Sequence, residues 1–339
     1  IATDVGGTFT DLVYLDIDEN GKVLGIKTRK SDTTPPNFEE GVFNTLNDAK
    51  IDISKAKFFA HGTTVVINAI TERKGVTTGF ITTKGFRDSL EIARGDRPDF
   101  FNLKYRKPKT FIPRFLRKEI IGRMDFQGNE MIPLDLSNLS SIINEFKNEN
   151  VQSIAICLLH SYSNQNHEIS VRNEIKKLWP EVSIVISSDI TREWREYERG
   201  NTAVLCAYIK PIAEKYLDRL YKRLNESKFS SIPYIMQSNG GIDSFESTKN
   251  TPITMIESGP TSGVIGAAKL GEMIGENNII ALDIGGTTAK CSLIENGNVK
   301  INTNYWIEKN NVSSGYPVMV PVVDIVEIGN GGGSIAWVD

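Results

Sequence analysis

The sequence predicts an α/β protein built from two related lobes, and three observations carry that expectation. Short apolar runs alternate with stretches of helical periodicity along most of the chain, the pattern of strands feeding helices. At 339 residues the chain exceeds one small domain. One strand–loop–strand unit also occurs twice, as Ile1-Ala-Thr-Asp-Val-Gly-Gly-Thr-Phe-Thr10 and Ile280-Ala-Leu-Asp-Ile-Gly-Gly-Thr-Thr-Ala289. A unit repeated once at long range points to paired lobes rather than a solenoid.

In chain order, residues 1–5 form a strand leading into the first glycine loop, and 10–16 the strand that leaves it. The Asn20-Gly21 dipeptide predicts a hairpin turn before a strand at 23–30. Pro35-Pro36 opens a helix to about residue 50, with Phe38, Val42, Phe43 and Leu46 at helical spacing. Strand 57–61, helix 63–74 and strand 77–82 follow. Residues 94–135 hold four of the thirteen prolines and many charged and aromatic residues, so they read as an irregular inserted subdomain. Helices at 136–149 and 167–178 alternate with strands at 153–159 and 182–187. Residues 192–224 are expected to form a long helix or a pair of helices, bent near Pro211. Strand 232–237, helix 263–274 and strand 279–283 complete the series.

Composition excludes several classes of function. The chain is 40% hydrophobic and 24% charged, as soluble globular proteins are. A net charge of −3 offers no electrostatic case for nucleic acid or an anionic membrane. No apolar run is long enough for a membrane span. Cys157, Cys206 and Cys291 form no framework, which favours a cytoplasmic, reducing setting. With only His61, His160 and His167 available, a His/Cys metal cage is not expected. Ile1 opens inside a strand and the chain stops soon after a glycine cluster, so it reads as part of a longer protein with an incomplete second lobe.

The chemistry resides in the repeated loops. In the first, Gly6 and Gly7 let backbone N–H groups approach phosphate oxygens, and Thr8 and Thr10 add hydroxyl donors. In the second, Gly285, Gly286, Thr287 and Thr288 offer the same groups. Asp4 and Asp283 would repel bare phosphate, so their expected task is to hold Mg²⁺ directly or through water. Two such loops facing each other would clamp the polyphosphate of ATP.

Two loops of this kind resemble the superfamily of acetate kinase, actin, sugar kinases and the seventy-kilodalton heat-shock chaperones. That resemblance implies ribonuclease-H-like (actin-like ATPase) lobes, the first complete with an inserted subdomain and the second truncated. Glu257-Ser-Gly-Pro-Thr-Ser-Gly-Val-Ile-Gly-Ala-Ala268 then corresponds to the connecting helix at the hinge, where Glu257 is a candidate to order a water or Mg²⁺. Gly329-Asn-Gly-Gly-Gly-Ser334 corresponds to an adenosine loop, with Gly331 and Gly332 against the nucleotide.

Further motifs, among them His61-Gly-Thr-Thr64, Arg94-Gly-Asp-Arg-Pro98, Arg195-Glu-Tyr-Glu-Arg199 and Ser238-Asn-Gly-Gly241, resemble the hydantoinase A/5-oxoprolinase family over nearly the whole chain. The family implies a division into an N-terminal region at 1–185 and the start of a hydantoinase A region at 186–339. It also implies ATP-dependent phosphorylation of a cyclic amide's carbonyl oxygen, with a hydantoinase B-type partner subunit or fused domain. A ketone carboxylase subunit of the acetone type is the alternative within enzymes, with a hydroxyl kinase behind it; a non-catalytic nucleotide switch is the alternative outside them. His61, Thr63 and Thr64, at a strand-to-helix junction, are candidate substrate contacts. So are Arg94, Asp96 and Arg97, in a compact charged turn.

Overall fold

Along Phe9–Ile17, buried Thr10 and Leu12 alternate with outward-facing Phe9, Asp11 and Val13, so one face of this strand lies on the core and the other does not. It belongs to a six-stranded sheet with the order Ile242–Ser244, Pro233–Met236, Phe59–Thr63, Ala2–Val5, Phe9–Ile17, Val23–Asp32. Ala2–Val5 lies inside that sheet, antiparallel to Phe9–Ile17 and parallel to Phe59–Thr63. The sheet takes strands from both sides of residue 185. The computed structural model describes residues 1–95, 101–285, 288–329, 331–335 and 337.

A second sheet has five strands, ordered Glu130–Asp135, Arg117–Met124, Thr78–Thr83, Ser153–Cys157, Ser183–Ile186. Thr78–Thr83 is buried along its whole length, as a strand covered on both faces must be. The long helix Glu196–Glu226 packs on this sheet, and every residue from 197 to 209 is buried. A helix buried all round sits between layers rather than on a surface. Farther along it, Tyr216 reaches into the first sheet and meets His61. A third, smaller sheet pairs Ile279–Ile284, Ala289–Glu295, Asn298–Val299 and Val326–Ile328. Val264 joins it to the helix Ser258–Ile274 through a separate cluster with Ile294 and Val323. No helix among the described residues is long and apolar enough to cross a membrane.

Three expectations change. Residues 94–135 are not an irregular insertion throughout: Arg117–Met124 pairs parallel with Thr78–Thr83 and extends the second sheet. Its buried Arg117 disguises it as surface; the guanidinium donates to Ile112 O, Thr110 Oγ1 and Glu91, with one terminal nitrogen left without a hydrogen bond 4.0 Å from Asp88. The helix expected from 263 starts at Ser258, because Pro260 lies in its first turn, where no intrahelical N–H is lost. The helix expected from 192 starts at Glu196 and runs through Pro211 as one element.

Packing at the centre of the second sheet is tight. A Cβ added to Gly79 would lie 2.7–2.9 Å from the ring atoms of Phe146. Gly79→Val is expected to lower the urea unfolding midpoint, corresponding to about 1–3 kcal/mol of overpacking strain. An unchanged midpoint would show that the helix Leu139–Asn148 yields freely.

Candidate functional site: two matched glycine hairpins

The two repeats pair their strands in the same register. In the first, Asp4 lies across from Asp11 and Val5 from Thr10; in the second, Asp283 lies across from Lys290 and Ile284 from Ala289. Each is closed by one equivalent turn bond: Gly6 N–H donates to Phe9 O at 2.9 Å, and Gly285 N–H to Thr288 O at 2.9 Å. Beyond the first turn, Gly7 and Thr8 are exposed, and nothing lies within 4 Å of a Cβ added to Gly7. Gly286 and Thr287 lie outside the described residues.

Asp4 ends its strand in a cradle that glycine makes possible. A Cβ on Gly62 would come within 2.7 Å of Asp4 Oδ1, and one on Gly259 within 2.8 Å. Oδ1 is buried and has no hydrogen-bond partner. Burial, aided by the charges of Asp11 and Asp283, pushes the Asp4 carboxyl up to about 6, with Lys290 pulling the other way. Gly259 sits at the start of Ser258–Ile274, which is fastened to the end of Phe59–Thr63 from both directions. Thr63 N–H donates to Ser258 Oγ at 3.1 Å, and Ser258 Oγ–H donates to Thr63 O at 2.8 Å.

The residues present suit a magnesium ion. Oδ1 is an unused anionic ligand in a cradle kept clear of side chains. Among the described residues no group of three His, Cys, Asp or Glu could form a complete cage. Magnesium commonly takes one or two carboxylates and completes its shell with water and phosphate oxygens.

Glu257 adopts a left-handed conformation (φ 55°) and is buried. Its carboxylate is fully engaged, accepting from Lys290 Nζ at 2.6 Å and from Tyr305 Oη–H at 3.0 Å. For Lys290, burial is the largest influence and disfavours its charge. Attraction to Glu257, Glu327 and Asp283 outweighs it, and the ammonium is held above the usual lysine range. Sequence reasoning missed Lys290 and Asp11. The signal was available, since each stands seven residues after its loop aspartate, the offset a tight hairpin turns into a cross-strand pair.

Other expected contacts fall elsewhere. Thr10 faces inward, its hydroxyl 3.3 Å from Thr33 Oγ1 and under Gly41, so it does not line the loop. His61 is a core residue, with Nδ1 2.7 Å from Thr3 Oγ1 and Nε2 2.5 Å from Tyr216 Oη. Burial lowers its pKa to about 3, so it is neutral near pH 7 and has no free nitrogen for a substrate. Thr63 is buried, and Thr64 Oγ1 donates to Val5 O at 3.2 Å. These motif residues hold the hairpin and the helix together. Gly332 does reach the second loop, donating to Gly285 O at 3.0 Å, and Gly331 N–H bonds Ser334 Oγ. Arg94 lies in a separate groove, paired in bidentate fashion with Glu198 at 2.7 and 2.8 Å. Asp96 and Arg97 lie outside the described residues.

Fold and site together define a mixed α/β protein with paired Asp-x-Gly-Gly-Thr hairpins. The chain belongs to the hydantoinase/oxoprolinase family: residues 1–179 match its N-terminal region and residues 199–339 the hydantoinase/oxoprolinase region that follows. It is 38% identical to an uncharacterized protein of Methanocaldococcus jannaschii, over 100% of this chain and 51% of that protein. It is 30% identical to caprolactamase subunit alpha of Pseudomonas jessenii, over 100% of this chain and 49% of that subunit. The crystal structure of that ATP-dependent caprolactamase matches with a TM-score of 0.82. The nucleotide-free structure of an acetone carboxylase matches with a TM-score of 0.84 at 27% identity, over 98% of this chain and 48% of its own. The chain spans about half the length of these relatives.

The raised Asp4 pKa makes a thermodynamic prediction. In the unfolded chain Asp4 titrates near 3.8, and in the metal-free native state at about 6. The native state therefore binds the proton more tightly, and Asp4 costs stability as pH rises from 3.8 through 6. Asp4→Asn is expected to stabilise the metal-free protein by about 1–3 kcal/mol at pH 7.5, and this gain should fade as the pH drops toward 3.8. Urea unfolding of both proteins at several pH values checks it; a pH-independent difference would contradict the account.

Proposed function

We propose that the two hairpins form the phosphate clamp of an ATP-dependent enzyme that phosphorylates the carbonyl oxygen of a cyclic amide, such as 5-oxoproline or a hydantoin. The observation that carries this reading is the repeat of one hairpin in identical register, with a partnerless buried carboxylate oxygen at Asp4. Exposed Gly7 and Thr8, and Thr288 in the second loop, are the candidate phosphate donors, the Gly285 N–H being spent on its turn bond. Asp4, with Asp283 close enough to disfavour its ionisation, is the candidate metal position. Bound there, Mg²⁺ would neutralise phosphate charge and fix its geometry. Phosphoryl transfer needs mainly such positioning and charge neutralisation. The product gains a leaving group where amide resonance had made the carbonyl inert.

An antiparallel hairpin flanked by helix-connected parallel strands, and the same hairpin starting a further sheet, support the ribonuclease-H-like, actin-like two-lobe reading. Glu257 serves in this account to hold Lys290 and Tyr305 near the clamp, and Gly331 and Gly332 to border the nucleotide. A hydantoinase B-type partner or fused domain would complete ring opening, in keeping with relatives named as subunits. Unpaired Cys157, Cys206 and Cys291 suit a reducing, cytoplasmic setting.

A second reading, the ATP-binding part of an acetone-type ketone carboxylase, is favoured by the fit to the acetone carboxylase structure. The two readings differ in what stimulates ATP turnover by the complete enzyme with its partner. A lactam alone suffices in the first, whereas a ketone plus bicarbonate is needed in the second. In either case Asp4→Asn and Asp283→Asn are each expected to lower substrate-dependent ATP hydrolysis by at least about 100-fold. Full activity in both variants would overturn the clamp.

A further inference from the structure

A second set of polar groups lies away from the hairpins, at the carboxyl end of Ser153–Cys157, where α/β sheets open crevices for ligands. A cleft of about 280 Å³ opens there, lined by Arg94, His160, Tyr162, Trp194, Arg195 and Arg199 among others. Arg94 and Arg195 also line an adjoining cleft of about 390 Å³ that continues toward Trp306. Trp306 directly follows Tyr305, whose hydroxyl bonds Glu257 beside the glycine hairpins. One short strand, Tyr305–Ile307, thus touches both places.

Arg199 is the telling residue. It is almost wholly buried, at 1% exposure. One terminal nitrogen donates to Leu158 O at 2.5 Å and lies 3.4 Å from Cys157 Sγ. Its Nε is buried with no partner. Among the described residues no carboxylate lies within ion-pairing distance of its guanidinium, although the pairs of its neighbours Arg94 and Arg195 are evident. Burial works against its charge, but attraction to neighbouring groups, Glu168 and Glu196 among them, outweighs that. What stays unmet is the hydrogen-bonding capacity of buried Nε, which is retained where something else supplies the acceptor. Of the carboxylates lining the two clefts, Glu198 is taken up by the bidentate pair with Arg94. Arg195 shares Glu198 at 3.9 Å, so Arg94, Arg195 and Arg199 together face Glu196 and Glu198, an excess of positive charge.

The backbone is bent to present these groups. Arg195 has φ 84° at the residue before the long helix, and His160 has φ 60° where the strand ends. Positive φ at a non-glycine residue is strained and tends to cluster where side chains are held for a task. The aromatic walls meet the same cations: Arg195 lies 4.6 Å over the ring of Trp194, and Arg199 5.5 Å from that of Tyr162.

We propose that this cleft is a binding site for a small carboxylate-bearing molecule, with the carboxylate received by Arg195 and Arg199 and a planar body lying between Trp194 and Tyr162. Paired guanidinium groups match a carboxylate's two oxygens. The cleft is small for a nucleotide and lies at the low end of small-molecule pocket sizes. The site stands independently of the hairpins' action, and its test uses no ATP.

The full-length protein is titrated calorimetrically with 5-oxoproline and benzoate, with their uncharged counterparts 2-pyrrolidinone and benzamide, and with inorganic phosphate. At least one carboxylate should bind saturably, at least tenfold more tightly than its uncharged counterpart and than phosphate. Arg195→Gln, at a half-exposed position, should weaken that binding at least tenfold while leaving binding of a nucleotide analogue unchanged, and Arg199→Lys should weaken it further if that variant folds. The proposal is overturned if neither carboxylate binds, if the uncharged ring binds as well, or if phosphate binds as tightly. Binding that survives Arg195→Gln overturns it equally.

Discussion

A carboxylate oxygen buried without a partner, at the end of an interior strand, is the constraint on which the rest of this structure depends. Asp4 occupies that position because Gly62 beside it and Gly259 above it carry no Cβ. The helix bearing Gly259 must therefore begin within contact distance of the strand ends. Reciprocal bonds between Ser258 and Thr63, and the left-handed turn at Glu257, achieve this. Left without a ligand, the arrangement is unfavourable, as the raised proton affinity of Asp4 shows. Sites that accept such a cost are commonly those that bind something to relieve it.

The two hairpins share one geometry and differ in charge. The first sets Asp11, itself paired with Lys30 at 3.1 Å, across from Asp4, where its charge adds to the burial that disfavours ionisation. The second sets Lys290 across from Asp283, balancing it. An identical backbone thus offers a cation-seeking end and an anion-tolerant end. Glu257 ties the second to the first by holding Lys290, while Tyr305 shares the same carboxylate. A duplicated fold unit has been divided into unlike halves by one residue in each strand.

The long helix Glu196–Glu226 links the hairpin region to the arginine-lined cleft. Near its start, Arg199 closes the end of a strand in the second sheet. A little beyond Pro211 it supplies Tyr216 to His61 in the first sheet. Burial on all sides from residue 197 to 209 holds its first half firmly, and buried Ala213, Tyr216, Leu217, Leu220 and Leu224 anchor the rest, so the two places are linked by a packed helix rather than by loops.

The sequence by itself determined the α/β class, the repeated hairpin and the loop aspartates, because each is a local pattern: apolar spacing, paired glycines, a fixed offset. It also marked the family motifs around His61, Arg94, Arg195 and Glu257. What those motif residues do was decided only by the tertiary structure. His61 and Thr10 resemble ligands in the sequence, yet both are turned into the core by the alternation of their strands and closed off by distant Tyr216 and Thr33. Charged Arg117–Met124 resembles surface until a parallel neighbour and Glu91 satisfy it. Arg199 resembles one charge among several on a helix; its missing partner is visible only once Cys157 and Leu158 are packed against it. Burial and an unmet hydrogen bond are properties of neighbours remote in the chain, and no local pattern records them.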